Sequence, residues 1–238
     1  MKILAIDSSG QVASAALVTE QTVLAEYTVN FKMNHSQTLL PMIDELLRMT
    51  GTEGSELDAL AVTNGPGSYT GLRIGSSTVK GLAMIWNKPV VAVPTVEVLA
   101  ANYFGYDGLI CPIMDARRGQ VYTGVYRCDG DKLTVVCEQS CMLLSDMVEK
   151  LNSLGEKVIF LGDGVPVHKA FLKANVTVPF TLAPMHRMVQ GAASLGFLAG
   201  RYYAEGRTVS AMELVPEYLR QSQAEREREE RLDHRTNG

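Results

Sequence analysis

The sequence lacks the apolar runs that mark secreted and membrane proteins. Only four apolar residues follow Lys2 before Asp7 interrupts them, whereas the core of a signal peptide has about 7–15. No stretch approaches the ~18 uncharged apolar residues of a membrane-spanning helix. We therefore expect a cytoplasmic protein with no signal peptide and no contact with a membrane.

Cysteine and histidine are scarce, with four residues of each type. The histidines form no HxxxH or HExxH motif, and no CxxC pair occurs among Cys111, Cys128, Cys137 and Cys141. Zinc sites use closely spaced pairs of such ligands, so the sequence predicts no metal site. Because no secretory signal is expected, we predict that the cysteines are reduced thiols and form no disulfide.

Basic residues are not in surplus, since 22 Lys and Arg stand against 26 Asp and Glu. Binding a phosphate backbone needs clustered Lys and Arg, so this balance argues against a chain that binds nucleic acid unaided. Membership of a complex that binds nucleic acid stays open. The Gly-x-Ser-x-Gly elbow of serine hydrolases and the Cys/His signatures of cysteine proteases are also missing.

What the 238 residues do contain is a pattern of elements that occurs twice. Three strands, a helix and a strand are predicted before the Gly-Tyr-Asp-Gly segment at 105–108, and the same order follows it. This pattern is typical of two-domain α/β proteins with a cleft between the halves. We predict a first domain of residues 1–106 plus about 190–222, a second of residues 107–189, and a solvated charged tail at 223–238.

Two predicted helices are more apolar than a single core contact requires. In the helix from about residue 35 to 49, the apolar residues cover roughly 180° of the circumference, against a stripe of about 100° for an ordinary surface helix. The helix that ends near Trp86 carries only Lys80 as a charge beyond its first turn. Such helices are either deeply buried or covered by a partner, and the pattern alone leaves both alternatives open.

A glycine-rich loop, NGPGSYTG at residues 64–71, lies between a predicted strand and the second of these helices. Its spacing matches neither the Walker A loop nor GxGxxG, so a phosphate site and a tightly packed turn are equally compatible with it. The first strand ends in Asp-Ser-Ser, and a Gly-Asp-Gly segment takes what we expect to be the equivalent place in the second half. The candidate nucleotide- or phosphate-binding residues are therefore Asp7, Ser8, Gly65, Gly67, Ser68, Gly162 and Gly164.

Several segments together resemble one family. KILAIDSS, HSQTLLPMIDELL, NGPGSYTGLRIGSSTVKGLA, DARRGQVY and PEYLR occur in the order found in the TsaB (YeaZ) family, and the resemblance covers all but the charged tail. The resemblance implies an α/β fold of the actin/Hsp70-like (ASKHA, RNase H-like) type with two βββαβα halves.

The resemblance also implies an accessory role in forming threonylcarbamoyladenosine (t6A), the modification of N6 of adenosine 37 in tRNA. TsaB-like proteins pair with the paralogous TsaD, whose HxxxH motif holds the catalytic metal, and act with the ATPase TsaE. In this sequence the matching stretch, VPTVEVL at 93–99, contains no histidine. We therefore expect a non-catalytic subunit that needs no cofactor and contacts tRNA only indirectly, with weak ATP or ADP binding left open.

In the family, pairing uses the first two helices, packed as a four-helix bundle with those of the partner. Carried over by position, the expected interface residues are His35, Leu39, Met42, Ile43, Leu46, Gly71, Gly75, Val79 and Leu82. The same apolar faces predict a homodimer when the partner is missing. The alternatives are a nucleotide-binding enzyme of the same fold, a glycoprotease-like metallopeptidase, and proteolysis directed at the partner subunit.

Overall fold

The computed structural model describes residues 1–31 and 34–220, so the predicted charged tail lies outside the described residues. The first half forms a five-stranded sheet in the order β3-β2-β1-β4-β5. Its elements are β1 (Lys2–Asp7), β2 (Ala13–Thr19), β3 (Val23–Val29), α1 (His35–Thr50), β4 (Ala59–Gly65), α2 (Tyr69–Trp86), β5 (Val90–Pro94) and α3 (Thr95–Ala101). Strands β1 to β3 pair antiparallel, whereas β4 and β5 are parallel to β1.

The second half repeats this topology in a sheet of order β10-β9-β6-β7-β8. Its elements are β6 (Leu109–Asp115), β7 (Gln120–Asp129), β8 (Lys132–Leu143), α4 (Leu144–Leu154), β9 (Val158–Leu161), α5 (Gly164–Asn175) and β10 (Phe180–Leu182). Helix α6 (Ala192–Ala204) then returns to pack on the first sheet. The predicted duplication and α/β class are confirmed.

Two elements of the second half, α5 and β10, are missing from the sequence prediction. Helix α5 begins with glycine and carries Pro166 in its first turn, where proline is tolerated because the amide N–H there has no helical partner. Strand β10 has only three residues, too few to show an alternating pattern. The predicted final helix also begins three residues early, since α6 starts at Ala192 and not at Val189.

The first sheet has helices on both faces because successive residues of its central strands alternate between two apolar clusters. Leu4 and Ile6 of β1 pack towards α1 and α2, whereas Ile3 and Ala5 pack towards α6. All four side chains are fully buried. A strand covered on both faces reads as a continuous apolar run, which explains the KILAI sequence.

Helix α3 belongs to both halves. Val98 and Ala101 pack in the core of the first sheet, while Val96, Leu99 and Ala100 pack on the second sheet. Each of these side chains is buried. A shared helix therefore joins the two sheets through both of their cores.

Candidate functional site

The end of β1 is a buried polar turn. Asp7 is fully buried, and its Oδ1 accepts hydrogen bonds from the amide (2.8 Å) and the hydroxyl (2.7 Å) of Ser9. Burial raises the pKa of the Asp7 carboxyl above its ordinary value of 3.8. The Ser8 hydroxyl donates to the Gly71 carbonyl at 2.9 Å. Both side chains thus hold the protein's own backbone together.

The glycine-rich loop packs directly on this turn. A β-carbon at Gly67 would collide with the Ser9 carbonyl, and one at Gly71 would collide with the Ser8 carbonyl. A β-carbon at Gly75 would lie 2.5 Å from the Ser8 hydroxyl oxygen. These glycines let the start of α2 approach the end of β1, which supports the packed-turn alternative for the loop.

Ser68 begins α2 as its N-cap. Its hydroxyl accepts a hydrogen bond from the Gly71 amide at 3.3 Å, and its own amide donates to the Ser9 carbonyl at 2.7 Å. Gly65 has a φ of 129°, and a β-carbon there would collide with the Glu217 carbonyl oxygen. The side of Gly65 on which a β-carbon would lie is therefore occupied by the chain's own backbone.

The Gly-Asp-Gly segment lies at the end of β9, and β9 is the counterpart of β4. It therefore corresponds to the glycine-rich loop, and the prediction that it mirrors Asp7 is wrong; the counterpart of Asp7 is Asp115, at the end of β6. Gly162 and Gly164 pack on the Ile113 backbone and side chain, as close packing of α5 on β6 requires. Asp163 accepts a hydrogen bond from the Asp115 amide at 3.2 Å, and burial raises the pKa of its carboxyl.

The DARRGQVY segment forms a strained turn between β6 and β7. Arg117 and Arg118 have φ values of 65° and 56°, a left-handed conformation that L side chains disfavour, and Gly119 follows at 72°. The Asp115 carboxylate fixes the turn by accepting a hydrogen bond from the Arg117 amide at 2.9 Å. His168 of α5 lies beside that carboxylate, with 3.7 Å between Nε2 and Oδ1.

A cleft of about 600 Å³ lies between the halves. Among the seven predicted phosphate-site residues, the structure places Gly67 and Ser68 on the cleft wall, whereas Asp7 and Ser8 are buried beneath it. The wall also contains polar and aromatic residues that sequence reasoning did not select: Tyr69, Arg117, Tyr122, Asp163, Tyr218 and Arg220. Tyr218 and Arg220 belong to the PEYLR motif, but the sequence of that motif does not show that it lies beside the cleft.

The predicted interface residues are mostly core residues. Seven of the nine are buried within the chain: Leu39, Met42, Ile43, Leu46, Gly71, Gly75 and Val79. The expectation that these side chains form an exposed patch is therefore wrong. They lie on the stripes of α1 and α2 that face the sheet, and His35 and Leu82 are partly exposed.

Helices α1 and α2 also carry large apolar side chains that are exposed. We call these residues together the helix-pair surface: Leu40 (51% exposed), Met49 (63%), Met84 (63%) and Ile85 (76%). A groove of about 310 Å³ runs between the two helices, with Leu40 on one side and Ile74 on the other. Gly81 has open space where a β-carbon would be, so another helix could approach α2 closely there.

Comparison with known proteins shows which family the chain belongs to. A family model described as TsaD, tRNA N6-adenosine threonylcarbamoyltransferase, matches residues 22–228. The chain is 38% identical to the Bacillus subtilis protein named tRNA threonylcarbamoyladenosine biosynthesis protein TsaB, over 94% of this chain and 96% of that one. This chain belongs to the TsaB family.

Solved structures agree with that assignment. YeaZ from Pseudomonas aeruginosa superposes with a TM-score of 0.80 at 28% identity, covering 92% of this chain and 99% of that one. Component A of (R)-2-hydroxyglutaryl-CoA dehydratase from Acidaminococcus fermentans superposes with a TM-score of 0.50 at 11% identity, over 86% and 99% of the two chains, which shows the fold alone. The TsaB-family chain therefore has the predicted actin/Hsp70-like fold.

The stretch that the sequence analysis matched to the TsaD metal motif lies in the core of this TsaB-family chain. Residues 93–99 end β5 and begin α3, and Val96, Val98 and Leu99 are fully buried in the two cores. Within residues 1–31 and 34–220, no group of three or more His, Cys, Asp or Glu side chains is arranged to hold a metal ion. No helix in the same ranges is long and apolar enough to cross a membrane.

Proposed function

We propose that this chain is a non-catalytic accessory subunit in tRNA threonylcarbamoyladenosine biosynthesis, and that it acts by pairing with a TsaD-like catalytic paralogue. The observation that carries the proposal is the helix-pair surface. Four large apolar side chains on two adjacent helices are exposed to water, and exposed apolar surface is typical of sites of protein association. The names of the relatives supply the pathway.

The proposed pairing uses the outward sides of α1 and α2. The inward sides already pack on the first sheet, so the same helices serve the core and the partner at once. We propose that a TsaE-like ATPase joins the pair in the cytoplasm, that tRNA is contacted through the partner, and that the surface forms a homodimer when the partner is missing. The role we propose needs no cofactor bound to this chain.

The nucleotide-binding alternative receives less support from the cleft. The loop that would cradle phosphates is packed on the Ser8–Ser9 backbone, and the Glu217 carbonyl lies over Gly65. The chain itself therefore covers Gly65, whereas Gly67 and Ser68 still line the cleft.

The experiment that tests the proposal measures the solution mass of the chain alone and mixed with the TsaD-like protein of its host, by light scattering after size exclusion. We expect a self-dimer that converts to a one-to-one heterodimer. Ile85→Lys should weaken both associations at least about tenfold, because a charge would be buried without a partner. Lysine near a helix C-terminus is favourable, so the variant should fold normally.

Val167→Lys is the matched control. Val167 is 64% exposed on α5 of the second half, far along the chain from the helix-pair surface. It should associate like the wild type. If Ile85→Lys also associates like the wild type, the helix-pair surface is not the interface and the proposal fails.

A further inference from the structure

The chain after α6 crosses the mouth of the cleft. We call residues 214–220 the C-terminal clasp. Leu214 anchors its start, since this side chain is 1% exposed and packs in the core cluster that α1 and α2 share. Arg220, at its other end, lies beside the strained turn of the second half.

On the first half, the clasp contacts the glycine-rich loop and α2. The Glu217 amide donates to the Asn64 carbonyl at 2.6 Å. The Tyr218 ring stacks on Tyr69 with 4.6 Å between ring centroids. Arg73 donates to the Tyr218 hydroxyl at 3.3 Å, and its guanidinium lies 4.2 Å from the centre of the Tyr69 ring. These contacts fix the clasp along the rim of the cleft.

On the second half, the clasp makes two polar contacts. Arg220 donates from Nη1 to the Ala116 carbonyl at 2.5 Å. Gln139 of β8 donates from Nε2 to the Glu217 carboxylate at 3.2 Å. A single segment of seven residues therefore binds both walls of the cleft.

Beyond Leu214, the clasp is held by hydrogen bonds and a ring stack and not by deep burial. Val215, Glu217 and Tyr218 are exposed, with Tyr218 at 38%. Segments with few buried apolar contacts open at a much lower free energy than the core does. The clasp can therefore leave the cleft while both sheets stay folded.

We propose that the C-terminal clasp is a releasable strap that sets the opening of the cleft. Docked, it ties the glycine-rich loop of the first half to the strained turn of the second half and covers Gly65. Released, it no longer ties the two cleft walls together, so the halves can move apart about α3 and the segment that leads from β10 to α6, and the loop is uncovered.

Amide hydrogen exchange on the full chain tests the strap, because one protected amide lies at its contact with the first half and another lies at its contact with the second half. The Glu217 amide is protected by Asn64 only when the clasp is docked. The turn at 116–120 is closed by a hydrogen bond from the Ala116 amide to the Gln120 carbonyl at 3.0 Å. Tyr218→Ala removes the stack on the first half, and we expect exchange at least about tenfold faster at both sites.

The decisive result is that a substitution at one end of the clasp speeds amide exchange at the other end. Arg220→Gln removes the contact with Ala116 on the second half, so it should speed exchange of the Glu217 amide on the first half. Val215→Ala is the control, since this exposed side chain lies in the same segment, and its exchange should match the wild type. If each variant changes exchange only beside its own position, the segment is locally docked and the strap is refuted.

Small-angle X-ray scattering supplies a second measurement. The double variant Tyr218→Ala/Arg220→Gln should have a larger radius of gyration than the wild type, with an unchanged circular dichroism spectrum. An unchanged radius, together with faster exchange at both sites, would show that the clasp does not control the opening and would overturn the proposal.

Discussion

Leu46 offers a direct test of which side of α1 is core. Its side chain is 0% exposed and packs in the cluster that joins α1 and α2 to the first sheet. Replacing a buried leucine with alanine costs about 2–5 kcal/mol, because the lost contacts add to the cost of the cavity. For a chain of this size each kcal/mol lowers Tm by about 2–4 °C, so Leu46→Ala should lower it by about 4–20 °C.

The assay is urea unfolding followed by intrinsic fluorescence. The single tryptophan, Trp86, packs against the same cluster, so its emission reports on the structure that Leu46 supports. Leu40→Ala is the matched control on the same helix, since Leu40 is 51% exposed, and its stability should change by less than about 0.5 kcal/mol. Equal losses in the two variants, or a Leu46→Ala loss below about 1 kcal/mol, would refute the assignment of the two helix faces.

Three further outcomes follow from buried groups and close packing. Burial raises the pKa of Asp7, so the folded state favours its protonated form and the free energy of unfolding falls as pH rises from about 4 through the folded pKa. Asp7→Asn should remove that fall, and equal urea midpoints for both proteins at every pH from 4 to 7 would contradict this. Gly75→Ala should lower the free energy of unfolding by about 1–3 kcal/mol, because the added methyl group would collide with the Ser8 hydroxyl. Gly81→Ala is the control on the same helix: its methyl group would lie in open space, so the free energy of unfolding should rise by about 0.5–1 kcal/mol. Urea unfolding of both variants separates the effect of packing from that of helix propensity. No disulfide joins the four cysteines, all of which lie in the described part of the chain, so a reducing agent should leave the Tm unchanged within about 1 °C, and a larger shift would indicate a disulfide.

The elements of the first half were predictable because their sequence periods are strong. The continuous apolar run of β1 and the wide apolar arc of α1 reflect burial directly, and the observed end of α1 lies one residue beyond the predicted one. In the second half, α5 starts with glycine and proline and its apolar residues show only a weak stripe. Packing on the second sheet nonetheless stabilises α5, since Val165 and Leu172 lie in the core of that sheet.

The candidate site was less predictable, for a physical reason. A glycine that admits a phosphate and a glycine that admits another backbone have the same sequence signature, because both simply lack a β-carbon. At Gly65 the approaching group is the Glu217 carbonyl, which no local pattern could identify. Sequence reasoning is limited in a similar way for helix α1. An apolar arc of roughly 180° indicates that two sides of the helix can pack, but only the position of the sheet determines which leucines face inward.

The shared helix α3 has a consequence for dissecting the protein. A cut near Gly105, where the sequence pattern restarts, would leave α3 on a first-half fragment with Val96, Leu99 and Ala100 bared to solvent. The complementary fragment would lose the apolar lid over Ile110 and Ile159. Neither piece would be a self-contained folding unit, so complementation by two separately expressed halves would require them to meet before either reached its native state. The two halves that the topology repeats therefore do not fold as two separate domains.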